Sequence, residues 1–127
     1  DVVSAILKNK IKLKKIIKII HLEIRKELNI FLRKNKKKKI IILDIPLLLE
    51  NKINKKGDIL IFVQAKKNDI NRRLKKRTNF NHDLVKRFKK IQLPLDYKKK
   101  KSRFVIKNNF TNKTIKKDIK YILKKIQ

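Results

Sequence analysis

The chain has no cysteine, no methionine, one glycine and two prolines among its 127 residues. Without cysteine there is no disulfide framework, no thiol nucleophile and no cysteine-ligated zinc. With Gly57 as its one glycine, it cannot contain the G-x-x-x-x-G-K-[ST] loop whose backbone amides cradle nucleotide phosphates. Long apolar runs are missing as well. No stretch of about 18 apolar residues is available to span a bilayer, and no signal peptide opens the sequence, so a cytoplasmic protein is the default. A chain that begins at Asp1 and holds no methionine reads as a processed or truncated piece of an open reading frame.

Acid is scarce too. Asp and Glu number 10 against 40 Lys and Arg, a formal net charge of +30. Such a balance points first to nucleic acid, because each neutralised phosphate releases counterions. The kind of base argues otherwise. Lys supplies 33 of the 40, beside 22 Ile and 12 Asn, and these three are the residues of A- and T-rich codons. A surface selected to read DNA favours Arg, whose planar fork grips guanine and phosphate bidentately. Drift at permissive surface positions accounts for the charge better than dedicated nucleic-acid binding, which stays as the rival reading.

What is present is a series of apolar runs and helical stripes. Leu13, Ile16, Ile17, Ile20, Ile24, Leu28, Phe31 and Leu32 are spaced by three and four, which predicts one long amphipathic helix over residues 10–33. After the basic run 36–39, Ile40–Leu43 is a short β-branched run of the kind buried on both faces in parallel sheets. It predicts a strand with Asp44 at its carboxyl end, where open α/β sheets place their ligands. Ile59–Val63, after Gly57 and Asp58, predicts another strand, and Lys66–Arg77 a helix. Thr78–Asn81 breaks that helix, and Asn81 suits the N-cap of the next, over 83–91. Pro94 ends or restarts the helix, and Phe104–Ile106 is short enough for a last strand. The segment 114–126 closes with Ile115, Ile119, Ile122, Leu123 and Ile126 on one helical face. Strands alternating with helices imply crossover connections and a parallel sheet covered on both sides.

Four blocks of the sequence resemble the dephospho-coenzyme A kinase family. Ile19-Ile20-His21-Leu22-Glu23-Ile24-Arg25 is similar to the family's I-x-H-P-x-I-R, and Asp44-Ile45-Pro46-Leu47-Leu48-Leu49-Glu50 to its D-x-P-L-L-x-E, with Asp58 opening the next strand. Arg73-Leu74-Lys75-Lys76-Arg77 is followed at the family's spacing by Arg87, Gln92 and Lys98, and Val105-Ile106-Lys107-Asn108-Asn109 is similar to V-I-x-N-x-G. One block alone is weak in so basic a chain. Four in register, within a resemblance that runs from Ile11 to Ile126, are specific. The resemblance implies an α/β, P-loop kinase-like three-layer fold with a parallel sheet and a helical lid, N-terminally truncated. It implies a single truncated kinase domain over 1–127 with the lid at about 78–101. The implied activity is ATP-dependent phosphorylation of the 3′-hydroxyl of dephospho-coenzyme A, the last step of coenzyme A synthesis. ATP and dephospho-coenzyme A would be the substrates and Mg²⁺ the metal, with no membrane and no nucleic acid as partner.

Phosphoryl transfer is positioning plus stabilisation of spread negative charge. Arg73 and Arg77, four apart, are expected on one helix face, able to fork onto phosphate oxygens. Arg87 falls in the implied lid, which would close over ATP and exclude water. The resemblance makes Arg77 and Arg87 the candidates for catalysis, and Arg73 and Asn108 those for ATP binding, Asn108 through the adenine edge. His21, Arg25, Asp44 and Glu50 are the candidates for the acceptor substrate, and either carboxylate suits a hydrated Mg²⁺. Each has a plainer reading: a solvated basic face for Arg73 and Arg77, a structural histidine for His21, and a cap or lysine pair for Asp44 and Glu50. Asn108 also suits a turn, since Asn tolerates left-handed dihedrals. A nucleoside monophosphate kinase, whose lid arginines would look alike, is the runner-up within the fold.

Three positions depart from the family pattern: Leu22 in place of a proline, Arg103 in place of an acid, and Phe110 in place of the turn glycine. The family's phosphate loop and the early acid that takes the acceptor proton belong to its N-terminal third and have no counterpart here. Loss of a first strand would leave a sheet edge and apolar surface exposed. The 127-residue chain assayed by itself is therefore expected not to convert dephospho-coenzyme A and ATP to coenzyme A. ATP-dependent turnover above a no-enzyme control would contradict this.

Overall fold

A computed structural model describes residues 10–78 and 80–126, leaving aside the side chains of 10–14, 16 and 17. The side chains of Leu13, Ile16 and Ile17 in the predicted stripe, and Asn79 in the predicted break, lie outside the described residues. In chain order the elements are α1 (Lys10–Lys34), β1 (Ile61–Gln64), α2 (Lys67–Lys75), α3 (His82–Ile91), α4 (Leu95–Lys101), β2 (Phe104–Lys107) and α5 (Asn112–Ile126). They divide between two compact units. One is built from residues up to Asn54 together with Asp83–Gln92, the other from Lys55–His82 together with Leu93 onwards.

In the first unit the three-and-four spacing does produce a long helix. At 1.5 Å per residue, the 25 residues of α1 extend over about 37 Å. Its carboxyl end is closed by Asn35, whose N–H and Nδ2 both donate to the Phe31 carbonyl, at 3.1 and 2.9 Å. Arg33 and Lys34 in the last turn complement the helix dipole. On α3, Asp83 stands in the first turn and Lys89 and Lys90 in the last, the same favourable order.

The predicted strand Ile40–Leu43 does not form, so Asp44 is not at a strand end. The run is irregular, and Ile42 is 85 % exposed. A β-branched run becomes a strand only when a neighbour accepts its backbone hydrogen bonds. Among the described residues the first unit holds no strand to pair with it. The motif continues instead into a knot of turns. Asn51 N–H donates to Leu47 O at 3.1 Å, Lys52 N–H to Leu49 O at 3.2 Å, and Ile53 N–H to Leu48 O at 3.0 Å. Leu47 and Lys52 take φ of 55° and 50°, left-handed values that cost L-residues about 1–2 kcal/mol each. Ile53, only 5 % exposed, buries the end of the knot.

The second unit contains the sheet. β1 and β2 pair in parallel, with Ile61 opposite Phe104 and Gln64 opposite Lys107. Pairing extends past both ends, through Arg103 N–H to Leu60 O at 2.8 Å and Asn108 N–H to Gln64 O at 2.7 Å. The strand predicted over Ile59–Val63 thus begins two residues late, after the turn in which Gly57 takes φ of 100° and Lys55 N–H donates to Asp58 Oδ2 at 2.7 Å. Pro94 restarts the chain as the N-cap of α4, and Ser102 stops it, its hydroxyl donating to Lys98 O at 2.9 Å. α5 packs on β2. Ile122, 5 % exposed, is the buried side chain of that contact helix, and Tyr121 meets Phe104 edge to face at 6.5 Å. Asp118 Oδ2 accepts from Lys107 N–H at 3.0 Å, satisfying a backbone donor that β1 does not reach.

These burials give a contrast. Ile122→Ala is expected to cost about 2–4 kcal/mol, as buried large-to-small changes do, whereas Ile42→Thr should stay within about 0.5 kcal/mol. Urea unfolding midpoints of the two variants check this, and a large loss at Ile42 would reinstate a buried strand there.

Candidate active site

Parallel pairing sends both strands the same way, so the carboxyl ends of β1 and β2 leave the sheet side by side. β1 feeds α2, and β2 feeds the turn at 108–111. Arg73, on α2, reaches that turn: its guanidinium carbon stands 4.6 Å from the centre of the Phe110 ring. The turn is held by its own amides. Asn108 Oδ1 accepts from Phe110 N–H at 2.8 Å, while Asn109 Oδ1 accepts from Thr111 N–H at 3.1 Å and from its hydroxyl at 2.7 Å. Asn109 Nδ2 donates to Thr114 Oγ1 at 3.2 Å. These bonds hold Phe110 at φ of 61°. Asn108 therefore spends its side-chain oxygen on turn geometry, and its Nδ2 is the group able to donate to a base edge.

Arg77 is placed differently from its prediction. α2 ends at Lys75, and the chain tightens there: Lys76 N–H donates to Arg73 O at 3.3 Å and Arg77 N–H to Leu74 O at 3.1 Å. Three-residue closure of a last turn is a common way to satisfy end carbonyls. It also takes Arg77 out of the four-residue register with Arg73. Both are exposed, whereas the neighbouring Arg72 pairs with Asp69 at 2.7 Å.

The first unit holds the other five predicted residues. His21 and Arg25 are one turn apart on α1. Arg25 Nη2 donates to the Asn51 carbonyl at 2.7 Å, and Asn51 Nδ2 donates to Leu47 O at 2.8 Å, so the helix clasps the turn that ends the Asp44–Glu50 block. His21 Nδ1 is buried with no hydrogen-bond partner among the described residues, a polar atom in want of one. Asp44 is exposed, Glu50 half-buried within the turns, and Arg87 half-buried on α3. Beside this arrangement lies a groove of about 610 Å³, its apolar wall including Ile20, Ile24, Phe31 and Ile45, with Glu23 and Glu27 at its side. Lys26 lies 2.8 Å from Glu23, whose hydrogen bond and charge raise the lysine's pKa. No three carboxylate or histidine side chains gather as a metal site among the described residues.

Two contacts escape sequence reasoning. Phe110 was readable in part, because it stands where the resembling motif has a glycine and so inherits a left-handed backbone. The Asn51 carbonyl that Arg25 grips carries no sequence signal.

A parallel strand pair joined through helices, with an arginine-bearing helix and an amide-rich turn at its carboxyl edge, makes this an α/β chain. Comparison with known proteins makes the assignment specific: the chain belongs to the dephospho-CoA kinase family, whose model matches residues 2–114. It is 31 % identical over 107 residues to a dephospho-CoA kinase of Wolbachia pipientis wMel, covering 83 % of this chain and 54 % of the relative. Against the Bacillus anthracis dephospho-CoA kinase it is 32 % identical over 126 residues, or 96 % of this chain and 62 % of the relative. With that of Fusobacterium nucleatum it shares 36 % over 107 residues, 82 % and 53 % of the two chains. The chain thus spans between about half and three-fifths of the curated relatives it matches.

The clasp on the motif turn is testable. A hydrogen bond from a charged donor contributes about 1.5–3 kcal/mol when shielded and less in the open. Arg25→Ala is expected to speed hydrogen exchange at the Asn51, Lys52 and Ile53 amides about fivefold or more, with little change in β1. Uniform exchange throughout, or none faster, would count against it.

Proposed function

We propose that the protein of which this chain forms part transfers the terminal phosphoryl group of ATP to the 3′-hydroxyl of dephospho-coenzyme A, completing coenzyme A. The observation that carries this reading is the extent of the family match, which runs through all four sequence blocks, from His21 to Asn108. In this reading Arg73 and Arg77 bind the phosphates of ATP, with Arg77 and Arg87 neutralising the charge that spreads over the transferring group. Asn108 donates its amide to the adenine edge. His21 and Arg25 face the acceptor, the buried Nδ1 of His21 finding its partner there, and Asp44 and Glu50 orient the hydroxyl. Residues at about 78–101 act as the lid. Mg²⁺ is held by few protein ligands and mostly by phosphate oxygens and water in enzymes of this chemistry, and Asp44 or Glu50 would supply at most one such ligand.

In the intact protein Arg77→Ala is expected to lower kcat by about a hundredfold or more, the magnitude of losing one preorganised charge-stabilising donor. An unchanged rate removes Arg77 from the reaction. Phosphorylation of a nucleoside monophosphate in preference to dephospho-coenzyme A would instead favour the runner-up kinase class.

A further inference from the structure

Positive charge runs the length of the chain, and its last quarter carries almost no acid. Residues 97–127 hold twelve Lys and Arg against one acid. The single acid, Asp118, is turned away to Lys107 N–H at 3.0 Å. On α5, Lys113, Lys117, Tyr121 and Lys125 recur every four residues, forming a stripe with about 6 Å between members. The aromatic member is open: Tyr121 is 58 % exposed, with Phe104 edge to face against it and Lys125 Nζ 5.9 Å from its ring centre. Arg103 lies 5.4 Å from the centre of the Phe104 ring. A row of cations interrupted by one exposed aromatic ring is a surface single-stranded nucleic acid can use, phosphates lying on the cations and a base on the ring. Such binding reads no sequence and needs no bidentate Arg, so the abundance of Lys does not count against it.

We propose that the stripe Lys113, Lys117, Tyr121 and Lys125, backed by Arg103 and Phe104, is a sequence-tolerant binding surface for single-stranded nucleic acid. It is additional to the kinase reading and does not depend on it. The test is fluorescence anisotropy of a labelled oligouridylate with the full 127-residue chain, titrated with salt. Inorganic polyphosphate and phosphatidylglycerol vesicles serve as base-free anions. Log affinity should fall with log salt at a slope of about −2 to −3, corresponding to three or four phosphate contacts. Tyr121→Ala should weaken oligouridylate binding at least fivefold, the low end for losing one stacked base, and leave polyphosphate binding unchanged. Tyr121→Phe should restore it, and Lys117→Gln with Lys125→Gln should flatten the salt slope. Saturating ATP should not displace the strand.

Equal loss of polyphosphate binding in Tyr121→Ala, vesicle binding without strand binding, or displacement by ATP would each overturn the proposal. The double lysine variant keeps the test sharp if Tyr121→Ala fails to fold, since exposed lysines can be neutralised without opening the core. An unchanged slope in that variant would overturn it as well.

Discussion

The parallel register that sets Gln64 opposite Lys107 is the constraint on which the organisation of the second unit depends. Antiparallel strands could have been joined by a short hairpin. Parallel ones require a long crossover, and here it carries α2, α3 and α4. The register also puts the two strand exits next to each other, so residues far apart in sequence, Arg73 and Phe110, come within 4.6 Å. α5 then closes over β2, and Asp118 supplies an acceptor for the Lys107 N–H that parallel pairing leaves on the outer edge.

The first unit is organised by a helix rather than by a ladder. α1 supplies both the apolar wall of the groove and the cation that grips the Asn51 carbonyl. Two left-handed residues, Leu47 and Lys52, bracket the clasped turns. Local strain of that kind persists where surrounding bonds over-determine the backbone. Here the bonds are the turn ladder to Leu47, Leu48 and Leu49, the Asn51 side chain and the Arg25 guanidinium.

Much of this was legible in the chain. Spacing by three and four located α1 and α5, and the apolar runs before Gln64 and after Arg103 located the two strands to within two residues. The α/β class followed from their alternation. What sequence could not supply was partnership. Ile40–Leu43 has the composition of a buried strand, yet composition does not provide a neighbouring strand. Arg73 and Arg77 have helical spacing, yet the last turn tightens before the second of them. Of the site, residue types and order were readable, because the four blocks carry them. The clasp from Arg25 was not, since its acceptor is a main-chain carbonyl that any residue could offer.

The packing of Arg73 on Phe110 gives the guanidinium a resident partner within the chain. A cation over an aromatic face at an exposed position is stabilised by about 0.5–1 kcal/mol. An anion that recruits this arginine must first draw it off the ring, so the aromatic side chain behaves as a tethered competitor whose local concentration never falls. A glycine at that position would hold no such competitor. For any anion that bound this arginine, the filled turn would set a threshold amounting to a factor of about two to five in apparent affinity.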